Sequence, residues 1–132
     1  MNSLSNRFLR LAVFCALCGM TWGIVMGAQQ NFAAASAHAH LNLLGWVSMT
    51  LYGLFYRLIP NAAQGLLPKI HFWLAVVGVA IFVPSLAMVL AGPKDLLAKA
   101  ESGIMLASIL VWASMALFAT IVFKATSPKV TA

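Results

Sequence analysis

Four long apolar runs dominate this sequence and constrain its fold more than any other feature. They cover about residues 8–28, 41–59, 72–92 and 103–123. Each holds roughly 20 residues, which is enough for a helix rising 1.5 Å per residue to cross about 30 Å of hydrocarbon. Helices are favoured because a chain in lipid must satisfy its backbone hydrogen bonds internally. The pattern predicts one all-α transmembrane domain over residues 1–132, an integral membrane four-helix bundle.

Composition excludes the main soluble classes. Hydrophobic residues make up 63% of the chain and charged residues 8%, whereas soluble domains are about half apolar and a quarter charged. This excludes a soluble globular enzyme, a disordered chain and a disulfide-rich secreted domain. The first apolar run is longer than the roughly 7–15 residues of a signal-peptide core, so we expect it to be retained as a span.

The basic residues predict the orientation. The net charge is +6, but the cations are scattered near the ends of the runs and form no stripe for nucleic acid. They are Arg7, Arg10, Arg57, Lys69, Lys94, Lys99, Lys124 and Lys129. With the N-terminus inside, only Lys94 and Lys99 lie on the outer side, so we expect both termini in the cytoplasm. If the protein is bacterial, we expect it to be a multi-pass protein of the inner membrane, in contact with the lipid bilayer.

Small residues in the first run serve packing. Cys15 and Cys18 lie within an apolar span, where we interpret them as small hydrophobic residues rather than a redox pair. The sequence has no CxxCH motif, which excludes a covalently attached haem. Gly19, Gly23 and Gly27 are spaced by four and form a face, here called the glycine face, that lets another helix approach closely. That helix belongs either to the same chain or to a second copy.

The three histidines are the main functional signal. His38 and His40 lie at the outer end of the second run, whereas His71 opens the third run on the cytoplasmic side. A span of nearly 30 Å separates them, so His71 cannot share a ligand with the other two in one copy. We interpret His71, beside Lys69 and Trp73, as an interface anchor and only as a less favoured site residue.

The His-Ala-His spacing limits the kind of site. Residues i and i+2 on a helix are about 200° apart, so His38 and His40 make a poor chelate for one metal. They suit a helix that stands between two sites. Neutral imidazole binds haem iron and copper, and Asn42 is a candidate to orient a ligand ring or a haem propionate. The alternative is that these histidines only hydrogen-bond water, headgroups or a neighbouring carbonyl.

The segment around these histidines resembles the second helix of the catalytic subunit of haem-copper oxidases and nitric oxide reductases. The resemblance runs through residues 37–46, AHAHLNLLGW, to residues 56–60, YRLIP. The pattern HLNLL at 40–44 is similar to the nitric oxide reductases of this family, and the pattern AHA at 37–39 is similar to the oxidases. The whole chain also resembles small four-span bacterial proteins described as cytochrome c oxidase subunit I-like.

The resemblance implies a haem site but not a complete oxidase. In the family, this histidine ligates a low-spin haem, which here points to non-covalent haem b on His38 and His40. The family subunit has about twelve spans, in three groups of four, and histidines on several helices. A lone copy of this chain lacks the ligands for oxygen reduction, and no catalytic residue is assigned. The analogy therefore favours a homo-oligomer, with a trimer as the preferred form, that transfers electrons to or from a redox partner.

Two other functions remain open. One is a copper site, in which His38 and His40 are ligands and Met26 or Met49 is a soft partner. The other is a cofactor-free scaffold or assembly subunit of a respiratory complex that docks through the glycine face.

Overall fold

The computed structural model describes residues 3–127, which fold as four helices. Helix α1 covers Ser3–Gln29, helix α2 covers residues 35–58, helix α3 covers Leu67–Ala91 and helix α4 covers Leu97–Thr126. Short 3-10 turns, Pro60–Ala63 and Lys94–Leu96, precede α3 and α4. Lys129 lies outside the described residues. The predicted all-α membrane bundle is confirmed.

Three of the helical segments are long and apolar enough to cross a membrane. They are Ser3–Gln29, Leu67–Ala91 and Lys94–Thr126. Each begins several residues before its apolar run. Helix α3 continues without a break through Pro84, although proline removes one backbone hydrogen bond.

Helix α2 is built from three consecutive segments. An α-helix over Ala35–His40 leads into a π-helix over Leu41–Ser48, which leads into an α-helix over Met49–Leu58. The hydroxyl of Ser48 donates a 2.8 Å hydrogen bond to the carbonyl of Leu43, five residues earlier, which is the π-helical spacing. Helix α2 begins before the apolar run that predicted it, so His38 and His40 lie within the helix.

Glycines bring the helices together in pairs. A Cβ on Gly53 would lie 2.8 Å from Leu9, and one on Gly45 would lie 3.0 Å from Cys15, so α2 packs directly on α1. A Cβ on Gly78 would likewise lie 2.9 Å from Val111, where α3 packs on α4. Glycine is needed at these crossings because any side chain would hold the backbones apart.

An aromatic cluster closes the end of the bundle where α2 ends and α3 begins. Phe8 is fully buried and contacts the rings of Tyr52, Tyr56, His71 and Phe72. Phe118 of α4 stacks on His71 with ring centroids 5.1 Å apart. All four helices therefore contribute to this core, which lies at the opposite end of α2 from His38 and His40.

Candidate functional site

The rings of His38 and His40 lie on different faces of helix α2. His38 contacts α1, with its ring centroid 6.3 Å from that of Trp22. His40 contacts α3, with its ring centroid 5.1 Å from that of Phe82. Both side chains are half-buried. The expectation that the two rings diverge is confirmed, and they do not converge on one metal within a copy.

His40 is held in one tautomer by its own helix. Its Nδ1 atom lies 2.7 Å from the carbonyl oxygen of Ser36. A carbonyl only accepts hydrogen bonds, so Nδ1 carries the proton and donates it. In the neutral ring, the Nε2 atom then keeps its lone pair and can accept a hydrogen bond or bind a metal. This is the arrangement by which proteins orient a histidine ligand, with the other ring nitrogen fixed by a backbone carbonyl.

His38 occupies a more crowded position. A Cβ on Gly23 would lie 3.1 Å from its Cε1 atom, so α1 approaches the imidazole closely. The amide nitrogen of Asn42 donates a 2.9 Å hydrogen bond to the His38 carbonyl and lies 3.5 Å from both ring nitrogens. Asn42 thus positions His38 rather than His40. The contacts of His38 therefore do not fix which of its ring nitrogens carries the proton, whereas the Ser36 carbonyl fixes the proton of His40 on Nδ1.

The glycine face packs mainly inside the chain. A Cβ on Gly19 would lie 2.5 Å from the side chain of Asn42, and Gly23 faces His38. Gly27 has no atom within 4 Å of where its Cβ would lie. The interpretation as packing within one copy therefore accounts for the first two glycines, of which Gly19 packs against Asn42 and Gly23 against His38.

The π-helical segment starts directly after His40. Short π-helical insertions are rare and occur frequently at functional sites. No sequence signal predicted this one, because its residues, LNLLGWVS, have no distinctive period. The segment follows the two histidines and contains Asn42, which supports the choice of this end of α2 as the candidate site.

One copy offers few metal ligands. Within residues 3–127, no three His, Cys, Asp or Glu side chains gather closely enough to hold a metal ion. Met49 is 1% exposed in the core and lies nine residues beyond His40, with the whole π-helical segment between them. The structure therefore contradicts Met49 as a partner in a copper site at His40. Met26 lies on α1, one turn from Gly23, which faces His38.

His71 is not an interface anchor, and that expectation is wrong. The side chain is 0% exposed, whereas neighbouring Trp73 is 60% exposed. Its Nδ1 atom is hydrogen-bonded to the Tyr56 hydroxyl at 2.9 Å, and its Nε2 atom is buried without a polar partner among residues 3–127. His71 is a core residue of the aromatic cluster, and the structure separates it from His38 and His40 as expected.

Comparison with known proteins supports a link to the oxidases for part of the chain. The protein is 36% identical over 56 residues to the cbb3-type cytochrome c oxidase subunit CcoN1 of Stutzerimonas stutzeri. The match covers 37% of this chain and 12% of that subunit, so the chain spans about an eighth of the length of this relative. No family model and no solved structure matches the chain. The protein is thus a helical membrane protein related in part to a haem-copper oxidase subunit.

Proposed function

We propose that the protein binds haem b non-covalently and transfers electrons in the membrane. The proposal rests on the partial relation to an oxidase subunit and on the end of α2 where His38, His40 and Asn42 lie. The haem supplies one-electron transfer when it is bound. The protein contributes the axial ligand, its orientation and the apolar surroundings.

The observation that carries the proposal is the Nδ1 hydrogen bond of His40. Because the Ser36 carbonyl holds the proton on Nδ1, the Nε2 lone pair is free to bind iron. The half-buried position beside Phe82 gives the ring an apolar neighbour on α3. His40 is therefore the proposed axial ligand, and it belongs to the HLNLL pattern that resembles the reductase side of the family.

His38 is assigned a supporting role and is the second candidate ligand. The ring packs between Trp22, Gly23 and Asn42, so it stiffens the turn that carries His40. This arrangement gives His38 less freedom to reach a cofactor outside the chain.

A second copy completes the site. One copy offers no second histidine on the side of His40, so a second histidine that holds the haem would come from a neighbouring protomer. We propose a homo-oligomer, with the trimer favoured by analogy to the three groups of the oxidase subunit. Two histidine ligands leave no open iron position, which favours electron transfer with a redox partner over oxygen reduction. In a bacterium, the site lies at the periplasmic end of a protein of the inner membrane.

Two histidine variants test the ligand assignment. We expect His40→Ala to abolish haem binding and His38→Ala to retain haem with altered bands, measured as haem per protein in detergent. The reverse pattern contradicts the assignment. Native mass spectrometry of mixed tagged and untagged protein tests the oligomer, and a lone monomer that retains two-histidine haem contradicts it. Metal analysis of the same samples distinguishes copper, and a sample without haem or metal favours a scaffold.

A further inference from the structure

A cavity lies far from His38 and His40, at the end of the bundle where α2 ends. It is a groove of about 480 Å³ between the connection from α2 to α3 and the last turns of α4. Its polar lining includes Asn61, Gln64 and Lys124, and its apolar lining includes Leu66, Leu67 and Ile121. The groove is thus amphipathic, with a cation at the rim and hydrocarbon beside it.

The polar groups of the groove are available to a ligand. Lys124 is exposed in the last turn of α4. Gln64 donates to the side-chain oxygen of Asn61 over 3.4 Å, and the Asn61 amide nitrogen has no hydrogen-bond partner among residues 3–127. One ammonium and one free amide N–H₂ group therefore face a groove that has no carboxylate in its lining.

The charge of this end of the bundle favours an anion. Five cations lie near it in the described part of the chain: Arg7, Arg10, Arg57, Lys69 and Lys124. Both carboxylates, Asp95 and Glu101, lie near the opposite end, at the start of α4. An anion in the groove is therefore attracted by these cations, and no nearby carboxylate repels it.

We propose that this groove binds an anionic phospholipid. Its headgroup phosphate lies between the Lys124 ammonium and the Asn61 amide, and its acyl chains run along Leu66 and Leu67. Basic pockets between transmembrane helices are suited to anionic headgroups. A lipid fits better than a peptide because the groove opens beside helices whose apolar side chains are exposed, such as Leu67 at 39%. This site is independent of haem binding.

Native mass spectrometry with titrated lipid tests the site in the whole protein. We expect phosphatidylglycerol to bind more tightly than phosphatidylcholine, and Lys124→Gln to weaken phosphatidylglycerol binding about fivefold. Lys124→Arg keeps the charge and is expected to keep the affinity. Arg10→Gln removes a cation from the same end but outside the groove, so it is the matched control. Ala125→Trp fills the groove, keeps all charges and is expected to reduce binding.

Three results overturn the proposal. Equal binding of the two lipids contradicts recognition of an anionic headgroup. An equal loss in Arg10→Gln and Lys124→Gln shows a diffuse field rather than a site. Displacement of the lipid by inorganic phosphate alone, at equal concentration, shows a free-anion site. Circular dichroism of each variant verifies that it is folded.

Discussion

The hydroxyl of Tyr56 lies 2.9 Å from Nδ1 of His71, joining the end of α2 to the start of α3. Both side chains are 0% exposed, and aromatic rings from α1 and α4 enclose His71. This bond fixes the end of the bundle opposite His40. The only other histidine of the chain thus has a structural position, which leaves His38 and His40 as the candidates for a cofactor.

Tyr56→Phe is expected to destabilise the protein. The substitution leaves Nδ1 of His71 without this partner in an apolar core, and such a loss costs about 1–2 kcal/mol in a membrane protein. Unfolding in a denaturing detergent measures the change. Tyr52→Phe is the matched control, because the Tyr52 hydroxyl has no hydrogen-bond partner among residues 3–127. Equal stability of Tyr56→Phe and wild type contradicts the bond.

Gly53→Ala is expected to disturb the crossing of α1 and α2. The new Cβ would lie 2.8 Å from Leu9 and 3.3 Å from its backbone nitrogen, and the carbonyl of Gly53 accepts a 2.8 Å hydrogen bond from Ser5. Overpacking of this kind costs about 1–3 kcal/mol.

Gly27→Ala is the control for Gly53→Ala, since no atom lies within 4 Å of its new Cβ. Alanine favours a helix over glycine by about 1 kcal/mol, so this variant is expected to be as stable as wild type or slightly more stable. Thermal unfolding of the two variants and of wild type in detergent measures both effects. If the two variants behave alike, the close approach of α1 and α2 is wrong.

The sequence predicted the helices better than their contacts. Apolar runs and the two-residue spacing of His38 and His40 are local features, so the four helices and the divergent rings followed from them. The burial of His71 could not be predicted in this way, because Phe8 and Phe118, which enclose it, are far from it in sequence. The π-helical turn and the close contact of Gly19 with Asn42 also depend on how α1 meets α2. No local pattern encodes such contacts.

The orientation predicts which connections are accessible from outside the cell. In a background with Cys15 and Cys18 replaced by serine, we expect Asn31→Cys to react with a membrane-impermeant maleimide in intact cells. Gln64→Cys is expected to react only after the membrane is opened, because basic residues flank that connection. The opposite labelling pattern reverses the proposed topology and moves the His40 site to the cytoplasmic side.

The most direct test of the central claim is a visible spectrum of the purified protein, oxidised and then reduced with dithionite, with metal analysis of the same sample. We expect the sharp reduced bands of a six-coordinate b-type haem, because His40 and a histidine of a second copy would both bind the iron. A protein that is colourless, and that stays colourless after haem is added, contradicts the proposed haem site.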